Sequence, residues 1–126
     1  VSPAGEEVAT AMELALLTTT RATSDGRYTL LTVTLDHARK RVAAALSGQD
    51  PTASGIRSYI GHEATVALLS TLLGVDIAFN RGLFAQEAGQ SALCFKLRGR
   101  VENGVELSLE DIEEIGYEFK VLTRTA

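Results

Sequence analysis

The chain has 126 residues, of which 45% are hydrophobic and 22% are charged, a composition typical of a globular protein. Its formal net charge of −4 argues against a protein that coats DNA or RNA through a broad basic face. No apolar run approaches the roughly 18 residues that a membrane span requires, so we expect a cytoplasmic protein that binds neither membranes nor long nucleic acids.

One domain is predicted over residues 12–126, because this length can bury a core without disulfides or metals. Residues 1–11 contain Pro3, Gly5 and two glutamates, and we expect them to be a flexible leader or linker. The lone Cys94 lies in an apolar run and is expected to be a buried structural thiol.

The first predicted elements are two strands and a helix. Residues 13–20 are rich in aliphatic and β-branched side chains and predict a strand that ends in the hydroxyls of Thr18, Thr19 and Thr20. Residues 27–33 predict a second strand. Thr34 can then cap a helix that runs to Ser47 and ends at Gly48. Its solvent-facing side carries His37, which we interpret as a surface residue.

A connecting loop or a lid is expected over residues 49–57, because it contains proline, serine and glycine. The next helix, residues 62–73, is almost wholly apolar, ends at Gly74, and is expected to be buried. His62 stands at the mouth of this helix, where backbone N–H groups and the helix dipole favour an anion.

The last third of the chain predicts a hairpin, a short helix and a strand. Strands at 81–86 and 91–99 would be joined by a turn at Ala88-Gly89, which would bring Arg81 and Arg100 to the same end. Ser108 and Asp111 form a capping box for the helix. Residues 117–122 predict the last strand. The expected fold is therefore α/β or α+β, with a mixed sheet of about five strands and three helices.

Three familiar kinds of catalytic site have little support. Two histidines and one cysteine without paired ligand spacing fall short of a metal site. The sequence has no Gly-x-Ser-x-Gly elbow and no glycine-rich phosphate loop before a helix. We therefore expect neither a metal nor a cofactor.

The side chains that remain are a histidine, two arginines and three hydroxyls: His62, Arg81, Arg100, Thr18, Thr19 and Thr20. Such a set suits cleavage of a phosphodiester by its own ribose 2′-hydroxyl. Arginines would neutralise the developing charge and a protonated histidine would donate to the departing 5′-oxygen. On the residues alone, His62 can also be a helix residue that is hydrogen-bonded to a neighbour.

A set of short runs spans most of the chain and is densest between residues 58 and 104. The runs are Ile60-Gly-His-Glu-Ala-Thr65, Leu69-Ser-Thr-Leu-Leu-Gly-Val75, Asn80-Arg81, Ala92-Leu-Cys-Phe-Lys-Leu-Arg98, Arg100, Gly104 and Tyr117-Glu-Phe119. Together they resemble the type III anti-CRISPR ring nuclease family, which occurs in archaeal viruses and phages and as host CRISPR-associated enzymes. The resemblance covers about residues 12–123.

The resemblance implies a homodimer that binds cyclic tetra-adenylate across its two-fold axis and cuts the ring, which switches off type III CRISPR signalling. His62 would be the general acid, and Arg81 and Arg100 would hold phosphate. Gly61, the threonines after the first strand, and Glu102 as the counterpart of a family glutamate would complete the ligand contacts. The alternatives are a non-catalytic cyclic-oligonucleotide binder, acting as a sponge or sensor, and a small scaffold protein.

Overall fold

The computed structural model describes residues 12–20, 25–50, 53–99 and 108–126. The elements follow in the order β1 (Leu14–Leu17), β2 (Tyr28–Val33), α1 (Leu35–Ser47), β3 (Ile56–Ser58), α2 (Glu63–Leu73), β4 (Ser91–Leu97), α3 (Leu109–Ile115) and β5 (Tyr117–Arg124). The expected mixed sheet of five strands with three helices is confirmed. The predicted leader, residues 1–11, lies outside the described residues.

The five strands form one sheet in the order β2-β5-β4-β1-β3. β1 is parallel to both β3 and β4, whereas β5 is antiparallel to β4 and β2. Among the described strands, four therefore point the same way and β5 is reversed. We call the edge formed by the C-terminal ends of β1, β2, β3 and β4 the carboxyl edge. Since α1 follows β2 and α2 follows β3, both helices begin there.

Local capping chemistry defines both ends of α1, as predicted. The Thr34 hydroxyl accepts a hydrogen bond from the His37 backbone N–H at 3.1 Å, which satisfies one of the free donors of the first turn. Gly48 adopts the left-handed conformation with φ 78° and ends the helix. The buried stripe of α1 consists of Ala38, Val42 and Ala45.

α2 begins and ends where predicted, with His62 as its N-cap residue and Gly74 in the left-handed conformation after its last turn. The expectation that the whole helix is buried was wrong. Leu69, Leu72 and Leu73 are buried, whereas Ala64 and Ala67 are exposed. Alanine favours the helix wherever it stands, so an apolar run rich in alanine overstates how much of a helix the core covers.

α3 and β5 also follow the prediction. The Ser108 N–H donates to the Asp111 carboxylate at 2.9 Å, and the Asp111 N–H donates to Ser108 Oγ at 3.2 Å, so the capping box is confirmed. These hydrogen bonds hold the pKa of the Asp111 carboxyl below its ordinary value. Gly116 ends the helix, and β5 follows at once.

The two faces of the sheet are covered differently. The helix face packs against α1, α2 and α3 through a large cluster whose sheet members are Leu14, Leu16, Leu93, Phe95, Phe119 and Val121. The opposite face carries a smaller cluster of Ala15, Leu17, Ala92, Cys94 and Leu122, against which Tyr59 and Phe84 pack. Cys94 is fully buried there, and burial raises the pKa of its thiol to about 12. The expected structural thiol is confirmed.

The hairpin predicted over residues 81–99 does not form, although its turn at Ala88-Gly89 is present. Residues 81–86 contain no strand, and β4 pairs with β1 on one side and β5 on the other. Because both edges of β4 are occupied, the chain before it lies against the opposite face of the sheet. The Gln86 side-chain amide donates there to the carbonyl oxygens of Gln90 at 2.8 Å and Leu122 at 2.9 Å.

β3 is a strand where a loop was predicted. The assignment of residues 49–57 to a loop is wrong at its end, because Ile56–Ser58 pairs in parallel with β1. A three-residue strand has too little sequence for a periodic pattern, and its partner is distant along the chain. This pairing brings the residues that follow β3, including His62, to the carboxyl edge.

Candidate functional site

His62 occupies the N-cap position of α2, and its side chain is exposed. Its backbone is extended, with φ −127° and ψ 117°, and its carbonyl accepts the Val66 N–H at 3.0 Å as the first helical hydrogen bond. The imidazole makes no cap hydrogen bond. The N-terminal N–H groups of α2 and the imidazole therefore lie together, as the sequence predicted, and the pairing of β3 with β1 places them at the carboxyl edge.

Arg81 lies against the residue that precedes His62. Its Nε donates to the Gly61 carbonyl oxygen at 3.4 Å, a long hydrogen bond. A Cβ built on Gly61 would come within 2.9 Å of the Arg81 Cγ, so the absence of a side chain at Gly61 lets the arginine lie there. The structure thus gives Gly61 a part in positioning Arg81, and its predicted contact with ligand stays a prediction.

Asn80 holds the chain that carries Arg81. Its N–H donates to the Ile60 carbonyl oxygen at 3.0 Å, and its side-chain amide donates to the Ser58 carbonyl oxygen at 2.8 Å. Its side-chain oxygen accepts the Gly82 N–H at 2.8 Å. Sequence reasoning noted Asn80 only as part of a resemblance. The Asn-Arg-Gly order was the available signal, since an asparagine side chain often binds the backbone N–H two residues on.

A second anchor follows Arg81. The rings of Tyr59 and Phe84 lie 4.8 Å apart between centroids, on the face of the sheet opposite the helices. Arg81 is therefore held between Asn80 on one side and Phe84 on the other. Leu83 lies between these anchors and is 99% exposed, so this part of the segment projects away from the domain.

Thr18, Thr19 and Thr20 follow β1 at the carboxyl edge. The Tyr59 N–H donates to the Leu16 carbonyl oxygen at 3.0 Å, which holds the ends of β1 and β3 side by side. Thr18 and Thr19 are exposed and Thr20 is half-buried. The structure thus brings the predicted hydroxyls to the edge that also carries His62.

Arg100 and Glu102 lie outside the described residues. β4 ends at Leu97, so the chain leading to Arg100 departs from the carboxyl edge. The predicted hairpin was the reason to expect Arg81 and Arg100 at one place, and that reason fails because the hairpin is absent. The proposed role of Arg100 therefore depends on the resemblance alone.

His37 is exposed on α1, as predicted, and only its backbone N–H takes part in the cap. Across the described ranges, no three histidine, cysteine or acidic side chains are grouped so that they can hold a metal ion. Within the same ranges, no helix has the length and apolar character to cross a membrane.

The sequence profile described as STIV B116-like matches residues 14–119 of the chain. The chain belongs to the STIV B116-like family. The uncharacterized protein YddF of Bacillus subtilis strain 168 is 36% identical over 113 residues, which are 90% of this chain and 98% of YddF. Uncharacterized protein 26 of Sulfolobus islandicus filamentous virus (isolate Iceland/Hveragerdi) is 37% identical over 70 residues, 52% of this chain and 59% of the viral protein.

The STIV B116-like fold is also found in a solved structure. B116 of Sulfolobus turreted icosahedral virus superposes with a TM-score of 0.69 at 20% sequence identity, over 89% of this chain and 99% of B116. At this identity the likeness establishes the fold. The proteins named above that resemble this chain thus come from two viruses and from a bacterium.

Proposed function

We propose that the protein is a ring nuclease that binds cyclic tetra-adenylate and cleaves it without a metal. The observation that carries the proposal is the contact of Arg81 with Gly61, the residue immediately before the exposed His62 at the N-terminus of α2. A guanidinium, free helix N–H groups and an imidazole together suit a phosphodiester. The choice of ring follows from the resemblance of the sequence to type III anti-CRISPR ring nucleases.

The position of the site agrees with this proposal. Ligands of open sheets with parallel strands bind outside the carboxyl ends of those strands. His62, Arg81 and the threonines after β1 all lie at that edge. The charge of the whole chain is negative, so the positive potential needed for phosphate has to come from local groups such as Arg81 and the start of α2.

The proposed reaction is an internal transesterification. The ribose 2′-oxygen forms a bond to the adjacent phosphorus as the bond from phosphorus to the 5′-oxygen breaks, and the 2′-hydroxyl proton leaves to water. The protonated His62 imidazole donates its proton to the departing 5′-oxygen. Arg81 stabilises the charge on the phosphate oxygens. The products are linear adenylates that end in a 2′,3′-cyclic phosphate.

The proposed unit is a homodimer. A ring with rotational symmetry is best matched by two protomers related by a two-fold axis, each of which supplies one His62. Arg81 of each protomer would hold phosphate, together with Arg100, and the threonines after β1 and Glu102 would line the rest of the ligand. Loss of the ring would switch off the effectors of type III CRISPR signalling in the cytoplasm.

The test is to incubate the protein with cyclic tetra-adenylate in EDTA and to follow the products by mass spectrometry. We expect linear adenylates with 2′,3′-cyclic phosphate ends, and a dimer by light scattering. If the ring binds and is recovered intact, the protein is a binder rather than a nuclease. A ring concentration of 100 times Kd should add about 2.7 kcal/mol to the stability of a protein that binds it. A melting temperature that does not change when the ring is added would therefore mean no binding, and would favour a scaffold protein.

A further inference from the structure

A groove of about 560 Å³ lies along β3, between this strand and residues 76–80. Its volume is within the range of small-molecule sites, roughly 300–1,000 Å³. His62 and Arg81 are not among its lining residues, so the groove is separate from the point where the phosphate chemistry is proposed. Ser58 and Asn80 line it, and the hydrogen bond between them is also one of those that position Arg81.

Phe79 connects this groove to Arg81. Its side chain lines the groove, and the Arg81 Cζ lies 5.4 Å from the centroid of its ring. Phe79 is 44% exposed and belongs to neither of the two core clusters of the described residues. The core therefore does not account for an aromatic residue at this position. The guanidinium lies over one face of this ring, so a flat heterocycle would stack on the other face.

The separation of the two side chains suits a nucleotide. The Arg81 Cζ lies 5.4 Å from the centroid of the Phe79 ring, so the two side chains lie together. A phosphate at Arg81 would then have its base within reach of Phe79. Asp76 also lines the groove, and its carboxylate can accept hydrogen bonds from an exocyclic amino group of a base.

We propose that this groove binds the adenine base of a nucleotide whose phosphate lies at Arg81, with Phe79 as the stacking platform. The inference rests on the proposed function, because the phosphate at Arg81 is what brings a nucleotide to the groove. It extends that function by assigning a base-binding subsite to residues that sequence reasoning did not single out. Stacking of this kind accepts any base, so Asp76 is the group that would favour a base with an amino donor.

The test is an NMR titration of the labelled protein with adenosine 5′-monophosphate and, separately, with ribose 5-phosphate, which lacks the base. In the wild type we expect adenosine monophosphate to shift the resonances of Phe79 and Ile77. Phe79→Leu keeps an apolar side chain but removes the aromatic ring. It should weaken binding of adenosine monophosphate about 5-fold to 150-fold, the range measured for loss of one stacked base.

Three comparisons isolate the stacking. Phe79→Tyr keeps the ring and should bind like wild type, and Leu83→Ala removes an exposed side chain from the same segment and should have no effect. Binding of ribose 5-phosphate should be the same in wild type and Phe79→Leu. Equal losses for both ligands would show that Phe79 acts only by placing Arg81, and would overturn the proposal. So would the absence of shifts at Phe79 and Ile77 in the wild type.

The same variants separate this inference from the proposed function. If the wild type does not cleave cyclic tetra-adenylate, but adenosine monophosphate binds in a manner that depends on Phe79, the nuclease proposal fails and the base subsite stands. If the wild type cleaves the ring and Phe79→Leu leaves both KM and kcat unchanged, the base subsite is wrong and the nuclease proposal stands.

Discussion

The two helices that start at the carboxyl edge of the sheet do so in different ways. At α1, the Thr34 hydroxyl accepts the His37 N–H at 3.1 Å. At α2, His62 occupies the corresponding N-cap position and its side chain makes no cap hydrogen bond. A threonine cap contributes about 1 kcal/mol of stability, which α2 lacks. The start of α1 serves the fold, whereas the start of α2 leaves N–H groups and an imidazole available to a ligand.

The largest expected effect is that of His62→Ala on cleavage. Loss of the proton donor should slow ring opening by about 10² or more, while binding of the ring is kept. The melting temperature should stay close to that of wild type, because the imidazole caps nothing. Single-turnover assays and calorimetric binding measure the two quantities. His37→Ala, at an exposed histidine of the other helix start, is the matched control, and equal rates in both variants would remove His62 from the mechanism.

Arg81→Ala should weaken binding of the ring. A lost charge-assisted hydrogen bond to phosphate is worth roughly 1.5–3 kcal/mol, or about 10-fold to 150-fold in Kd. Arg27→Ala is a suitable control, because Arg27 is an exposed arginine just before β2, at the end of the sheet opposite the carboxyl edge. Titration calorimetry at two salt concentrations would measure both. An unchanged Kd for Arg81→Ala would place the phosphate elsewhere on the protein.

Asn80→Ala should affect both stability and binding. It removes the hydrogen bonds to the Ser58 carbonyl oxygen and the Gly82 N–H, at a net cost of about 1–3 kcal/mol in unfolding free energy. The freed segment should also hold Arg81 less well, so the Kd for the ring should rise. Urea denaturation and calorimetry test the two effects. Lower stability with unchanged Kd would mean that Asn80 supports the fold without positioning Arg81.

Thr34→Ala should cost about 1 kcal/mol and lower the melting temperature by roughly 2–8 °C. Cleavage by the folded protein should not change, because the α1 start is assigned no part in the chemistry. Thr34→Ser keeps a hydroxyl and should restore most of the stability. A fall in cleavage rate for Thr34→Ala at a temperature well below its melting point would contradict the division of roles between the two helix starts.

The smallest expected effect is a gain in the free energy of unfolding. His62→Ser places a strong N-cap residue at the start of α2, and should raise the unfolding free energy by a few tenths to about 1 kcal/mol. The same change should abolish rapid cleavage. A variant that is more stable and less active would show that α2 gives up stability for function at this position. A loss of stability would instead mean that the His62 side chain supports the fold.

The fold was predictable from sequence where its determinants are local. Thr34, Gly48 and Gly74 mark helix ends through hydrogen bonds and backbone conformations that involve only nearby residues. The same local logic placed His62 at the mouth of α2. The strand at Ile56–Ser58 was missed, and a strand was predicted at residues 81–86 where none forms, because strand pairing depends on partners far along the chain.

The site was predictable to the same extent. His62 and the threonines after β1 could be named from their positions at element ends. The sequence placed Arg81 near the site through a hairpin that does not form. In the structure, the contact of Arg81 with Gly61 brings it there instead. Asn80 and Phe79 could not be assigned from sequence, because their neighbours are β3 and the groove beside it.

The sequence by itself determined where α1 and α2 begin and end, and that one of them begins with a histidine. It could do so because capping involves residues within one turn of each other. Only the tertiary structure decided what lies beside that histidine. The parallel pairing of β1 with β3 and the hydrogen bonds of Asn80 bring Arg81 to Gly61 from 20 residues away in sequence. Contacts at such separations depend on the packing of the whole sheet.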